Sequence, residues 1–129
     1  PGIVTTRKKF IYKTILFLML GSLGQKYINK LIYHKTKMPP EFLEFQAAAY
    51  KYFKPVMEEL PIFTDDEIEN LSFPLQFFGG DCDELIDSVK TAERIGELLP
   101  ASEIHILKDT GHVIIDQFPV AREFLISNR

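Results

Sequence analysis

Two short polar segments of this sequence could carry acid–base chemistry. Residues 80–87 include Asp81 and Asp83, and a second segment contains Gly111 and His112. A buried carboxylate that accepts a hydrogen bond from one imidazole nitrogen fixes the tautomer of a histidine. It also favours the imidazolium that forms when the other nitrogen takes a proton. An aspartate beside His112 would therefore form the acid–base half of a nucleophilic triad.

Each polar segment follows a predicted β-strand. Residues 75–78 form the first strand and residues 103–107 the second, with a predicted helix between them. Two strands separated by a helix imply a parallel pair with a right-handed crossover. Because the loops that follow neighbouring parallel strands lie side by side, the pattern predicts that the aspartates and His112 meet.

The same residues also have ordinary structural interpretations. Asp81, Asp83 and Glu84 fit turn positions on a solvated loop, and His112 fits an ordinary loop histidine. The joint arrangement favours the chemical interpretation, because both segments follow strands in the right order with one helix between them.

The other two histidines predict no further chemistry. His105 alternates with Ile104 and Ile106, which indicates a structural role, and His34 lies in a basic loop that is expected to face solvent. The sequence contains neither His-Glu-x-x-His nor Cys-x-x-Cys spacing, so it predicts no metal site.

Residue patterns typical of helices precede, separate and follow the two predicted strands. Thr64 and Glu67 have capping-box spacing and predict a short helix. Asp87 or Ser88 is expected to cap the helix between the strands, whose predicted apolar face comprises Val89, Ala92, Ile95 and Leu99. A last helix is predicted over residues 119–127, with the side chains of Val120, Phe124 and Leu125 facing inward.

The first third of the chain is basic and apolar. Three basic residues at 7–9 precede an apolar run over residues 10–20, which is too short to span a membrane and has no cleavage site after it. The run predicts a buried or cap helix, with a membrane-surface helix as the alternative, and Gly21 and Gly24 are expected to end it.

Two more helices are predicted after this run. One is predicted over residues 25–33. A third begins at Pro40 and is expected to end near Pro55, with one apolar face formed by Phe42, Phe45, Ala49 and Phe53.

Composition sets the limits for these interpretations. The chain has 129 residues, 15 basic and 18 acidic, for a net charge of −3, and 46% of its residues are hydrophobic. These values are typical of one soluble globular domain and exclude a disordered tail or a polytopic membrane protein. The acidic balance argues against a nucleic-acid partner. The single cysteine, Cys82, cannot form an internal disulfide, so a cytoplasmic location is expected.

A series of short motifs runs through the second half of the chain in a fixed order. They are residues 63–68, Phe73-Pro74-Leu75, residues 80–87, Leu98-Leu99-Pro100, Gly111-His112-Val113, Pro119 and Arg122-Glu123-Phe124-Leu125. Together, their order and spacing resemble the C-terminal third of an α/β-hydrolase, close in pattern to bacterial carboxylesterase-like members.

The resemblance implies the α/β fold class. It implies a partial α/β-hydrolase fold, in which a helical cap precedes a strand–helix–strand–helix unit with a parallel strand pair. Residues 1–62 would be the helical cap region, and residues 63–129 would be the C-terminal part of the hydrolase core. By the same resemblance, Asp83 takes the position of the triad acid and His112 that of the general base. Asp81, only two residues away, is the rival acid.

The nucleophile that this family uses is not found in the chain. It sits in a Gly-x-Ser-x-Gly turn, a motif absent from these 129 residues. Because the family's nucleophile precedes the acid and the histidine, it is expected upstream of Pro1, and the chain alone is expected to be inactive. The partners implied are a small-molecule ester or acyl substrate and the N-terminal part of the same hydrolase.

The resemblance implies no metal or organic cofactor. Aromatic and apolar residues of the helical cap suggest an acyl or aromatic substrate group, although packing within the cap is the favoured explanation for them: Phe17, Leu18, Phe42, Phe45, Tyr50 and Phe53. A second hypothesis is a non-catalytic interaction or membrane-surface module derived from a hydrolase. In either case, an exposed strand edge predicts homo-oligomers.

Overall fold

The computed structural model describes residues 2–53 and 61–128. Three helices come first: α1 (Lys8–Leu18), α2 (Gly21–Tyr33) and α3 (Pro40–Tyr52). A mixed segment follows, with α4 (Asp65–Glu69), β1 (Gln76–Gly80), α5 (Ser88–Leu98), β2 (Glu103–Leu107) and α6 (Phe118–Ser127). The predicted order of a helical segment and then a strand–helix–strand–helix unit is confirmed.

The two strands pair in parallel, as the intervening helix predicts. The register runs from Gln76 opposite Glu103 to Gly80 opposite Leu107. Gly80 therefore belongs to the strand that it was expected to close. Among the described residues the named strands make one two-stranded sheet, so each strand has one edge without a strand neighbour in it.

Helix α5 packs on this sheet and contributes two buried hydrophobic side chains to the core. Ile95 is 2% exposed and Ala92 is also buried, as their helical spacing predicts. Val89 and Leu125, predicted to face inward, are 44% and 66% exposed. The prediction for Val89 is wrong because polar residues of α5, Ser88 and Thr91, occupy the buried face instead. The prediction for Leu125 is wrong because α6 buries none of its described side chains.

Both predicted caps in this segment are present. The Thr64 hydroxyl accepts from the amide of Glu67, and the Glu67 carboxylate accepts from the amide of Thr64, which completes a capping box around α4. At the start of α5 the Asp87 carboxylate accepts from the amide of Lys90 at 3.2 Å, so Asp87 is the cap.

The boundary between α1 and α2 differs from the prediction. Gly24 was expected to end the first helix, but it lies inside α2, where the two helices touch. A Cβ atom at Gly24 would lie 1.6 Å from the carbonyl oxygen of Phe17, so glycine is required for the close approach. Gly21 begins α2 with φ of +57°, a conformation that glycine adopts without strain.

The two ends of the helical segment, which contains α1, α2 and α3, lie next to each other. Gly2 and Ile62 form a parallel bridge, in which the amide of Gly2 donates to Pro61 and the amide of Phe63 donates to Gly2. The side chain of Arg94 on α5 donates to the carbonyl oxygens of Ile3 and Phe63. The two ends of the helical segment are therefore joined to each other and to α5.

The apolar run of α1 is less buried than predicted. Phe10 is 7% exposed, but several of its neighbours face solvent because the described residues place no element over them: Ile11, Ile15, Leu16, Met19 and Leu20. Phe45 on α3 and Phe53, which directly follows α3, are also exposed. The side chains of Leu18 and Tyr50, and the expected helix end at Pro55, lie outside the described residues. No helix in the described ranges is long and apolar enough to cross a membrane.

Candidate active site

The candidate site lies at the carboxyl ends of the two strands. The amide of Asp81 donates to the carbonyl oxygen of Leu107 at 3.0 Å, and the amide of Cys82 donates to that of Thr110 at 2.9 Å. A Cβ atom at Gly80 would lie 2.2 Å from the carbonyl oxygen of Thr110, so only glycine permits this approach. The two loops therefore lie side by side, as the parallel topology predicts.

Asp83 is a buried carboxylate with every lone-pair direction in use. The residue is 5% exposed. Its Oδ1 atom accepts from the amides of Leu85 at 2.8 Å and Ile86 at 3.1 Å. Its Oδ2 atom accepts from the hydroxyl of Ser88 at 3.1 Å and lies 2.9 Å from Nδ1 of His112. A buried charge needs such a set of partners to remain ionised.

These partners control the ionisation of Asp83. Burial by itself disfavours the carboxylate, but hydrogen bonds from His112 and from the amides of Ile86 and Leu85 outweigh it and lower the pKa of Asp83. The carboxylate is thus negative at neutral pH, and the imidazole donates to it through Nδ1. This tautomer leaves Nε2 of His112 free to accept a proton.

The imidazole of His112 faces solvent on the side away from Asp83. Its side chain is 35% exposed, against 3% for that of Asp83. Within residues 2–53 and 61–128, the hydrogen bonds of the imidazole involve Nδ1 and not Nε2. A histidine held by a buried acid on one nitrogen and open on the other has the geometry of a general base.

The backbone of His112 is fixed to the helical segment. Its amide donates to the carbonyl oxygen of Ile32 in α2 at 2.8 Å. The preceding Gly111 is buried, and a Cβ atom there would lie 2.6 Å from the same carbonyl oxygen. The helical segment thus sets the position of His112, while the loop after β1 sets that of Asp83.

The rival acid, Asp81, lies elsewhere. It is exposed, and its Oδ1 atom accepts from the amide of Thr110 at 3.3 Å. Burial opposes its ionisation, but hydrogen bonds from Cys82 and Thr110 prevail and lower the pKa of Asp81. The structure therefore brings Asp83, and not Asp81, to His112. Asp81 joins the two loops instead.

An open cleft adjoins Asp83. It has a volume of about 560 Å³ and lies between α1, α2 and the loop after β1. Phe17 and Tyr27 stack in its wall with ring centroids 5.2 Å apart. Lys13 of α1 forms an ion pair with Glu84 at 2.9 Å across one side. The volume is in the range of small-molecule sites in proteins.

Sequence reasoning missed two partners of the Asp83–His112 pair. The sequence predicts Ser88 only as a possible helix cap, yet its hydroxyl donates a hydrogen bond to the carboxylate of Asp83. A serine five residues after an aspartate, at the start of a helix, was the available signal. The contact of Ile32 uses a backbone carbonyl, for which no residue type is diagnostic.

The remaining histidines lie in different surroundings. His105 pairs with Glu103 and stacks on Phe78 with ring centroids 4.8 Å apart, in agreement with a structural role. His34, which was expected in a solvated loop, lies close to Cys82 and Asp109. A hydrogen bond from Cys82 to Asp81, with burial and the charges of Asp81 and Asp109, raises the pKa of the Cys82 thiol, so this cysteine is not an activated nucleophile.

Comparisons with known proteins give a consistent picture of the fold. No family model matches the chain, and no curated protein matches it either. Three solved structures from Bacillus subtilis do match. A protein described as a hydrolase has a TM-score of 0.75 and 20% identity, with 98% of this chain and 47% of that chain covered.

The other two matches are carboxylesterases. Carboxylesterase CesB has a TM-score of 0.70 and 19% identity, with 98% of this chain and 47% of that chain covered. Naproxen esterase has a TM-score of 0.70 and 22% identity, with 98% and 46% covered. The chain thus spans about half the length of the structures that it matches. At this level of identity the likeness defines the fold: the chain has the C-terminal part of an α/β-hydrolase fold.

Proposed function

We propose that this chain supplies the acid and the general base of a serine-type hydrolase that cleaves an ester or a related acyl bond. The observation that carries the proposal is the 2.9 Å contact between Asp83 Oδ2 and His112 Nδ1, with the carboxylate buried and saturated by hydrogen bonds. The fold similarity to carboxylesterases supports it.

In the proposed reaction, Nε2 of His112 takes the proton of a serine hydroxyl as the serine oxygen attacks the acyl carbonyl. The resulting imidazolium then gives that proton to the leaving alkoxide, and the acyl group remains on the serine. Water repeats the sequence and releases the acid product. Asp83 stays ionised throughout, keeps the imidazole in the productive tautomer and stabilises the imidazolium.

The proposal requires a serine from outside these 129 residues. The sequence has no Gly-x-Ser-x-Gly motif. Ser88 contacts the Asp83–His112 pair, but its hydroxyl donates a hydrogen bond to the carboxylate of Asp83 and is therefore beside the acid and not beside the general base. The proposed partner is therefore the N-terminal part of the same hydrolase, with its nucleophile turn and further strands.

Residues 1–62 are proposed as the helical cap of the enzyme and residues 63–129 as the C-terminal part of its core. The bridge between Gly2 and Ile62, which joins the two ends of the helical segment, supports this division. The cleft beside Asp83 would receive the substrate, with the stacked rings of Phe17 and Tyr27 against an apolar acyl group. A cytoplasmic location and self-association through a strand edge remain predictions.

The reading frame that encodes the chain provides the first test. We expect it to continue upstream and to encode Gly-x-Ser-x-Gly about 100 residues before Pro1. The full product should hydrolyse p-nitrophenyl esters, and His112→Ala should abolish this activity while His105→Ala preserves it. A start codon directly before Pro1, or full activity in His112→Ala, would refute the proposal.

A second candidate function is attachment to a membrane surface. Exposed apolar residues on α1 and in the turn after it stand beside basic residues at 7–9, a combination that binds anionic lipid surfaces. Among them, Leu16 is 60% exposed and Met19 is 81% exposed. This function predicts that the chain sediments with anionic vesicles and that Leu16→Ser with Met19→Ser releases it, whereas Leu125→Ser does not. Failure to sediment would exclude it.

A further inference from the structure

We propose that the chain binds one zinc ion through the Sγ atom of Cys82, the imidazole of His34 and the carboxylate of Asp109. One ligand atom from each residue lies within 4.8 Å of the other two. Thiolate, imidazole and carboxylate are the three protein ligands of zinc, which bind at about 2.0–2.3 Å in tetrahedral geometry. Three such ligands leave the fourth position to water.

The three ligands come from three separate segments. His34 follows the last turn of α2, Cys82 lies in the loop after β1 and Asp109 lies in the turn after β2. A single ion would therefore cross-link parts of the chain that are far apart in sequence. No local spacing rule could reveal such a site, which explains why the sequence predicts no metal.

The backbone already holds these segments together without an ion. The amide of Cys82 donates to Thr110, next to Asp109, and the amide of His112 donates to Ile32, two residues before His34. His34 and Asp109 both have positive φ values, +52° and +55°. The ligands are consequently positioned by the fold, and little reorganisation is needed to close the coordination sphere.

Two neighbours of the site affect ion binding in opposite directions. Lys35 Nζ lies 2.8 Å from Oδ1 of Asp109 and competes for that carboxylate. Its side chain is 65% exposed, and ion pairs between exposed side chains are weak, so a divalent ion displaces Lys35 readily. Asp81, to which the Cys82 thiol donates a hydrogen bond, adds negative charge that favours a divalent cation, but this hydrogen bond must break before the thiolate binds the ion.

The proposed ion takes no part in the proposed acid–base chemistry, although His34 and Cys82 line the cleft beside Asp83. Cys82 precedes Asp83, and His34 lies two residues after Ile32, whose carbonyl oxygen holds the amide of His112. Zinc would thus clamp the three segments that position the Asp83–His112 pair. We expect it to raise the melting temperature of the chain without contacting that pair.

Titration of the purified, reduced chain with Co²⁺ and Zn²⁺ tests the site. We expect one Co²⁺ per chain, with a near-ultraviolet thiolate charge-transfer band and visible bands of tetrahedral intensity, both displaced by Zn²⁺. Cys82→Ser should remove the thiolate band. His34→Asn should weaken binding by about 100-fold or more, because even outer hydrogen-bond partners of zinc ligands contribute about 10- to 100-fold. Asparagine is chosen because it tolerates a positive φ.

Two controls keep the test specific. His105→Gln removes a histidine that is not part of the cluster, and His112→Gln removes the one in the candidate active site. Neither should change the affinity for zinc by more than about twofold, and circular dichroism should show all variants folded. Absence of Co²⁺ binding, an unchanged band in Cys82→Ser, or loss of binding in His112→Gln would each overturn the proposal.

Discussion

The backbone amide of His112 donates a 2.8 Å hydrogen bond to the carbonyl oxygen of Ile32 in α2. A residue of the helical segment thus positions the candidate base, whose side chain binds an acid from the strand segment. A second link has the same effect, because the amide of Arg7 donates at 2.8 Å to the carbonyl oxygen of Leu85, two residues after the candidate acid. The helical segment therefore contributes to the geometry of the pair as well as to the cleft beside it.

The Asp83–His112 hydrogen bond should be visible in the proton NMR spectrum of the chain. We expect a strongly downfield Nδ1 proton of His112, because the nitrogen donates to a buried carboxylate at 2.9 Å. Asp83→Asn should remove or shift this signal, whereas Asp81→Asn should leave it in place. A signal lost in Asp81→Asn and retained in Asp83→Asn would contradict the geometry.

Ionisation of Asp83 should make the stability of the chain depend on acid pH. Its pKa is lowered in the fold, so the carboxylate stabilises the protein above the unfolded value of about 3.9, and this contribution is lost as pH falls through the lower folded value. The difference in the free energy of unfolding between the parent chain and Asp83→Asn should therefore shrink as pH falls below about 4. Urea titrations at several pH values measure it, and a difference that grows toward low pH would contradict this assignment.

Substitution of two helical glycines should have opposite effects. Gly24→Ala places a Cβ atom on the carbonyl oxygen of Phe17 and should destabilise the chain by about 1–3 kcal/mol. Gly96→Ala in α5 meets its nearest atom at 3.4 Å, so it should be neutral or stabilising by up to about 1 kcal/mol. Thermal or urea unfolding compares the two variants. Equal stability of both would show that α1 and α2 do not pack at Gly24.

The purified 129-residue chain should not turn over esters, because it lacks the nucleophile turn. Release of p-nitrophenol from p-nitrophenyl acetate should not exceed the rate given by His112→Ala. Turnover that disappears in His112→Ala would mean that the chain carries its own nucleophile, contrary to this prediction.

Topology was the most predictable level of this structure. Helix and strand order follows from signals that act locally, such as the Thr64 capping box, and the parallel pair follows from the intervening helix. The meeting of the loops after β1 and β2 follows in turn, since parallel strands end on the same side.

Tertiary packing overrode local patterns elsewhere. Helical periodicity assigned Val89 to the core, but Ser88 and Thr91 are buried there because they bind Asp83 and the carbonyl oxygen of Asp87. The residue type of Gly24 predicts a helix end, and only its contact with α1 shows that this glycine permits close packing of the two helices. The exposure of Leu16 depends on which elements cover α1, and the hydrophobic periodicity of α1 alone does not predict this.

Turnover by the full hydrolase that contains this chain most directly tests the role of the Asp83–His112 pair. Asp83→Asn should lower kcat by about 10⁴-fold, because loss of the orienting acid leaves the imidazole in the wrong tautomer. Asp81→Asn is the matched control, and it should retain kcat to within a few fold because asparagine preserves the acceptor for Thr110. Unchanged kcat in Asp83→Asn, together with a large loss in Asp81→Asn, would contradict the account.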